Sequence, residues 1–193
     1  MVILDRTISD NSILNIISDS SKFKRLKNDP TVLREGQLQR FLRNVKKSNK
    51  IDNIIYEKVY PSGSQPARIY GLPKMHKVQD HSSTPPFRPI VSSIGTYNYN
   101  LAKYLCTLLN PHIPNYYCAQ DIFTFISEVT RLHTHNKFMV SFDVESLFTN
   151  SLLIESINLA VDNIMKGNPD IKLGRENLTI FLCHCPNPFF LFG

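Results

Sequence analysis

The sequence predicts an α+β fold, because helical regions flank a short region of strand-like alternation. Apolar residues recur at helix spacing in the first 50 residues and again after residue 100. Between these regions lie short β-like runs separated by turn-forming residues. With 193 residues, of which 42% are hydrophobic, the chain is long enough to form one domain with a buried core.

Two amphipathic helices are predicted near the N-terminus. Ser9 can cap the first, whose apolar face is Ile13, Ile16 and Ile17. Asp29 and Pro30 open the second. Its apolar face consists of Leu38, Phe41, Leu42 and Val45. The opposite face is basic and is predicted to meet solvent or phosphate: Arg34, Arg40, Arg43, Lys46 and Lys47.

The middle of the chain contains three β-like runs: Ile54–Tyr56, Arg68–Gly71 and Phe87–Ser93. The turn-rich Pro61–Ser64 separates the first two runs. The polar Gln79–Pro86 is predicted to be a mobile loop. Two strands joined by that loop would form a hairpin with a basic tip.

Helical patterns dominate the rest of the chain. One helix is predicted from Leu101 to Leu109, ending at Asn110 and Pro111. Asp121 can cap another, and a third carries apolar residues from Leu153 to Ile164. Between them, Phe138–Phe142 is predicted to be a short buried strand that ends at Asp143.

The charge is uneven along the chain. The net charge of +6 divides into +9 over residues 1–103 and −3 over residues 104–193. A basic half suits a polyanionic partner, because neutralising phosphates releases counterions. A solvated, lysine-rich surface explains the charge equally well.

Composition also narrows the class of protein. No run approaches the roughly 20 apolar residues of a membrane-spanning helix, and the N-terminus does not resemble a secretory signal, so no membrane partner is expected. The four irregularly spaced cysteines are interpreted as reduced thiols, which predicts an intracellular protein of the nucleus or cytoplasm. The oligomeric state is left open.

Two segments contain candidate chemistry. A carboxylate at a strand end, as predicted for Asp143, can hold Mg²⁺, which prefers oxygen ligands. Taken alone, such an aspartate is more often a helix cap or turn residue. Lys74, Lys77 and Arg88 would lie on or near one hairpin, where they can bind phosphate or simply solubilise the surface.

Three ordered runs resemble Penelope-like retroelement reverse transcriptases: Tyr60–Lys77, Pro86–Thr96 and Ser141–Asn150. The resemblance covers nearly all of residues 1–165. It implies a partial right-hand polymerase with a β-hairpin fingers element and an incomplete palm sheet with packed helices. The implied regions are a helical N-terminal region (1–53), fingers (54–115), a partial palm (116–176) and a divergent tail (177–193).

The resemblance also implies site residues. Asp143 would be the first-motif aspartate that binds two Mg²⁺ ions, and the Val144 carbonyl a further ligand. Arg88 would contact the triphosphate of a dNTP, with Lys74 or Lys77 as its lysine partner. Phe148 would be the aromatic gate against a ribose 2′-OH, although it can also be plain core filler. The implied partners are an RNA template, a DNA primer and dNTP.

The sequence departs from this family in its second half. No adjacent Asp-Asp pair occurs, and no glycine-bearing segment follows the first motif. Ser151 and Leu152 stand where Ile-Pro is expected. Cys183, His184 and Cys185 make a poor zinc set, so the tail is expected to be disordered or misassembled. We therefore expect a fragment of an RNA-directed DNA polymerase, inactive alone.

Two alternatives remain open from the sequence. The chain can be a non-enzymatic, basic nucleic-acid-binding module derived from the fingers region. It can also fail to fold stably, since an incomplete palm exposes strand edges.

Overall fold

The computed structural model describes residues 4–75, 84–113, 118–132, 137–143, 152–185 and 189–192. These residues form seven α-helices and a three-stranded sheet, which confirms the predicted α+β class. The helices are α1 (Arg6–Ile17), α2 (Thr31–Lys47), α3 (Asn53–Val59), α4 (Tyr99–Leu109), α5 (Ile122–Arg131), α6 (Leu153–Gly167) and α7 (Gly174–Cys183). The strands are β1 (Ala67–Pro73), β2 (Phe87–Ser92) and β3 (Phe190–Leu191). None of the described helices combines the length and apolar character that crossing a lipid bilayer requires.

Five helices share one hydrophobic core. The apolar faces of α2, α3, α4, α6 and α7 meet there, and the hydrophobic effect acting on these side chains is the main stabilising term of the fold. The side chains that are completely removed from solvent include Leu38, Leu42, Leu101, Val161, Ile164, Leu178 and Phe181. The predicted apolar face of the second helix is therefore confirmed, as is that of α6 at Ile157, Val161 and Ile164, whereas Leu153 is exposed.

The sheet lies apart from the helical core and packs on α1. β1 is central, antiparallel to β2 and parallel to β3. Its inner face is apolar, with Ala67 and Ile69 buried. A Cβ at Gly71 would come within 2.7 Å of Phe87 Cδ1 and 2.8 Å of Ile13 Cδ1. Gly71 thus lets α1 approach the sheet closely.

Three helix starts follow local capping chemistry. The Asp29 carboxylate accepts a hydrogen bond from the Thr31 amide at 2.8 Å, and α2 begins there as predicted. Asp121 accepts from the Thr124 amide at 2.8 Å at the start of α5, also as predicted. The first helix starts earlier than expected, because Asp5 and not Ser9 is its N-cap.

The predicted strand Ile54–Tyr56 is wrong, because this run lies in α3. Asp52 caps that helix by accepting a hydrogen bond from the Ile55 amide at 2.7 Å. Val59 is completely buried, and Ile55 and Tyr56 pack against the same core. A short apolar run fits either a strand or a helix, and here the cap and the core favour the helix.

The predicted buried strand Phe138–Phe142 is also wrong. Residues 137–143 form neither helix nor strand, and the side chains of Phe138 and Phe142 are 96% and 91% exposed. A strand needs a neighbour for its backbone groups and a surface that covers its apolar side chains. No described strand pairs with this segment.

The described parts of the C-terminal segment, residues 177–185 and 189–192, pack on the rest of the chain, contrary to the expectation of a disordered or misassembled tail. Leu178 and Phe181 on α7 are fully buried in the helical core. The Phe181 ring packs edge-on against Phe41 of α2, with centroids 5.3 Å apart. Farther along, Phe189 stacks on Tyr97 at 6.2 Å, and β3 joins the sheet.

Two helices lie outside this core: α1, which packs on the sheet, and α5. α5 has the predicted apolar face but no buried residue: Ile122, Phe123, Phe125 and Ile126 are 66%, 80%, 47% and 51% exposed. Together with residues 138–142 it forms the least covered apolar part of the described chain.

Replacing Phe181 by alanine tests whether α7 belongs to the core. We expect Phe181→Ala to lower the free energy of unfolding by about 3–5 kcal/mol, because it empties a fully buried aromatic site. The free energy of unfolding is measured by chemical denaturation, with circular dichroism as the readout. Cys183→Ala, exposed on the same helix, is the matched control and should stay within about 0.5 kcal/mol of wild type. Equal stabilities of both variants would contradict this packing.

Candidate nucleic-acid interface

The outer face of the sheet combines basic and apolar side chains. Residues of β1 alternate, so that Arg68, Tyr70 and Leu72 are exposed while Ala67 and Ile69 are buried. The antiparallel register places Ser92 opposite Arg68, Ile90 opposite Tyr70 and Arg88 opposite Leu72. Directly opposite residues share a face, so both arginines lie on the outer one.

Lys74 extends this face toward the tip of the hairpin. Its amide donates a hydrogen bond to the Pro86 carbonyl at 2.8 Å, which continues the register of β1 and β2 by one more pair. Lys74 is therefore the diagonal neighbour of Arg88, a relation in which side chains lie about 7–8 Å apart. The predicted pairing of the two strands is observed, and its register places Lys74 and Arg88 on one face.

This part of the chain is electropositive because acidic residues are scarce. Residues 58–120 contain six lysines and arginines and one acidic residue, Asp80. Each strand of the sheet lacks aspartate and glutamate altogether. The charge of Arg68 and Arg88 is therefore not neutralised by a carboxylate on the strands.

The five basic residues of α2 do not form one wall. Successive residues of an α-helix are rotated by about 100° around its axis. On this basis a sector of roughly 60°, opposite the buried stripe of Leu38, Leu42 and Val45, contains Arg40, Arg43 and Lys47. Lys46 lies beside that sector, with its ammonium 4.1 Å from the centre of the Tyr56 ring. Arg34 lies near the other edge of the stripe. It is close enough to Tyr97 and His184 for its positive charge to act on the pKa of each. Three residues, not five, form the outward basic sector.

Polar contacts tie α2 to the start of the hairpin. The Glu35 carboxylate accepts a hydrogen bond from the Ser64 amide at 2.8 Å, and Gln39 donates one to the Pro61 carbonyl at 2.9 Å. Hydrogen bonding to Ser64 holds the pKa of Glu35 below its usual range, so this carboxylate stays ionised at neutral pH. These contacts hold the loop that leads into β1 against α2.

Asp143 occupies a different environment from the one predicted for it. It is exposed and lies among residues 137–143, which form neither helix nor strand, so no strand presents it to a groove. Within the described ranges, no three histidine, cysteine, aspartate or glutamate side chains come together as metal ligands. Asp143 by itself does not fit the two Mg²⁺ ions that the resemblance implies, because a two-metal site needs carboxylates on both sides of the metal pair.

Three of the other predicted site residues lie outside the described part of the chain. These are Lys77, Val144 and Phe148. Their predicted roles as phosphate ligand, carbonyl ligand and aromatic gate stay predictions.

Cys183, His184 and Cys185 have separate environments. The Cys183 thiol is exposed, whereas burial raises the pKa of the Cys185 thiol to about 12. A thiol must lose its proton to bind zinc, so Cys185 is a poor ligand. The His184 ring lies between Phe41 and Tyr97, with both centroid distances at 6.3 Å. Of the three residues, only His184 takes part in these aromatic contacts.

Sequence reasoning missed Arg68 and Tyr70 as surface residues with a possible binding role. Both stand in the resembling run Tyr60–Lys77, but neither was among the predicted site residues. The available signal was the period-two alternation with the apolar Ala67 and Ile69, which separates the two faces of a strand.

No family model, curated protein or solved structure matches this chain in the three comparisons made.

Protonation of His184 should lower stability. Burial lowers the pKa of this imidazole, and the positive charge of Arg34 lowers it further. The folded state thus favours the neutral ring. The contribution of neutral His184 to the free energy of unfolding is therefore fully present above about pH 6.5 and is lost as the pH falls below that value. We expect the free energy of unfolding to fall between pH 7.5 and 5.5 more in wild type than in His184→Phe. Parallel pH profiles from chemical denaturation would contradict this.

Proposed function

We propose that the chain is a nucleic-acid-binding protein of Penelope-like reverse-transcriptase ancestry, which binds through a basic surface on the hairpin and α2. The observation that carries this proposal is the diagonal placement of Lys74 and Arg88 on a sheet face without acidic residues. Arginine binds phosphate oxygens with a planar fork, and lysine supplies a compact positive charge. Residues of both kinds on one face suit a polyanionic strand.

The hairpin also supports the ancestry. The resembling runs Tyr60–Lys77 and Pro86–Thr96 contain β1 and β2, which pair with each other over six residue pairs. In the family, Arg88 and a lysine would contact the triphosphate of a dNTP. The same two side chains can instead contact the backbone phosphates of a template or primer, since the chemistry of the contact is the same.

Binding is better supported than catalysis. Lys74 and Arg88 lie on a paired hairpin, whereas Asp143 lies in an exposed segment without regular structure. A two-metal reaction needs carboxylates on both sides of the metal pair. A polymerase with Asp143 and Val144 as metal ligands therefore remains the second candidate, with the resemblance of Ser141–Asn150 as its support.

Removing the two hairpin cations should weaken binding of any nucleic acid. We expect Lys74→Ala/Arg88→Ala to bind a labelled oligonucleotide more weakly and with a shallower salt dependence. The slope of the log association constant against the log salt concentration should become less negative. The change should be about 0.7 for each lost phosphate contact on a single strand and about 0.9 on a duplex. Fluorescence anisotropy at several salt concentrations measures both quantities.

The matched control is Lys172→Ala/Arg175→Ala, which removes the same charge from a different part of the chain. Lys172 precedes α7, and Arg175 pairs with Asp162 across α6 and α7. An equal loss of affinity in both double variants would show that net charge alone drives binding and would refute the hairpin surface.

The chain alone should not extend a primer. The sequence holds no adjacent Asp-Asp pair, and a primer 3′-OH cannot attack a dNTP without a complete metal site. We expect no product from an RNA-templated DNA primer with Mg²⁺ and all four dNTPs. Template-dependent extension that is abolished by Asp143→Asn would overturn this prediction and favour the polymerase.

A further inference from the structure

We infer that the outer face of the sheet is a stacking platform for unpaired bases of a single-stranded nucleic acid, with Tyr70 at its centre. This inference rests on the proposed function and specifies its ligand. It assigns Tyr70 to base stacking, and Arg68 and Arg88 to the flanking phosphates.

Tyr70 is positioned for stacking. Its side chain is 48% exposed on the middle of the central strand, and its ring packs against no other described aromatic ring. Arg68 stands two residues before it on the same face of β1, a separation of about 6–7 Å. Arg88 lies diagonally across from it on β2, since Ile90 is the residue directly opposite Tyr70. An aromatic ring thus has a guanidinium on either side.

The inner face makes the platform rigid. Ala67, Ile69 and Phe87 are buried beneath it, and Ile13 of α1 is only 1% exposed against the sheet. Pairing of Tyr70 with Ile90 on β2 further restricts the Tyr70 backbone, and β3 pairs with β1 nearby, at Ala67 and Arg68. An aromatic side chain held on a sheet loses little entropy on binding, which favours stacking.

The apolar neighbours of Tyr70 widen the flat surface. Leu72 is 48% exposed beside it, and Leu191 on β3 is 58% exposed opposite Arg68. Exposed apolar area flanked by arginines and without strand carboxylates fits a ligand that is both flat and anionic. Unpaired nucleotides combine these properties, because each base has a π-face and each phosphate a charge.

A duplex does not suit this platform. Its bases are already stacked on one another, so a tyrosine can reach only the backbone or the groove edges. Arg68, Arg88 and Lys74 can contact the phosphates of either form, whereas Tyr70 can stack only on an unpaired base. Tyr70 should therefore contribute to the preference for single strands and not to binding in general.

The test uses the full chain with a labelled 20-nucleotide oligo-dT and with a duplex of equal length. Loss of stacking on one base corresponds to about 5- to 150-fold in affinity. We expect Tyr70→Ala to lose affinity for the single strand in this range and to bind the duplex as wild type does. Tyr70→Phe, which keeps the ring, should retain single-strand binding. Thermal unfolding of the variants checks that the exposed substitution leaves the fold intact.

A tryptophan probe gives an independent readout. The chain has no tryptophan, so Tyr70→Trp introduces a single indole whose fluorescence reports on this position. Stacking should quench that fluorescence on addition of the single strand and leave it unchanged with the duplex. Unchanged fluorescence with both ligands would overturn the inference.

The outcomes separate this inference from the proposed function. If Tyr70→Ala binds both ligands like wild type while Lys74→Ala/Arg88→Ala does not, the platform is refuted and the basic surface stands. If neither variant loses affinity, the proposed function fails as well. Equal losses for single strand and duplex, or self-association of the chain that Tyr70→Ala abolishes without changing its binding of the single strand, would also overturn the inference.

Discussion

Burial of one face of α2 is the constraint on which the rest of the described structure depends. Leu38, Leu42 and Val45 enter the core shared with α3, α4, α6 and α7. Because the helix is amphipathic, burying this stripe turns Arg40, Arg43 and Lys47 outward. Glu35 and Gln39, at the border of the stripe, hold the loop that enters β1. α2 thereby contributes one face to the core, presents its basic residues to solvent and fixes the loop before β1.

Whether the apolar face of a helix is buried depends on which other elements pack against it. α7 is not strongly amphipathic, yet Phe181 is fully buried against Phe41 because α2, α4 and α6 surround it. α5 has a clear apolar face, but its phenylalanines stay exposed. Periodicity therefore predicts that a helix can form, and only the neighbouring elements decide whether its face is covered.

The positions of Lys74 and Arg88 could be predicted from the sequence, whereas the environment of Asp143 could not. Lys74 and Arg88 come together because hairpin register follows from local alternation and pairing, both of which can be read from β1 and β2. Asp143 is different, because presenting its carboxylate required Phe138–Phe142 to pair with a strand from elsewhere. Pairing of that kind depends on distant residues, and a five-residue apolar run contains no information about its partner.

The sequence by itself determined the elements that depend on local chemistry. These are the helices that begin after Asp29 and Asp121, the end of α4 at Leu109, the hairpin of β1 and β2, and the excess of positive charge before residue 104. Only the tertiary structure decided that α7 closes the core while α5 stays exposed, and that Phe138–Phe142 pairs with no described strand. The physical reason is that caps, turns and charges act within a few residues, whereas burial is settled by which distant surfaces meet.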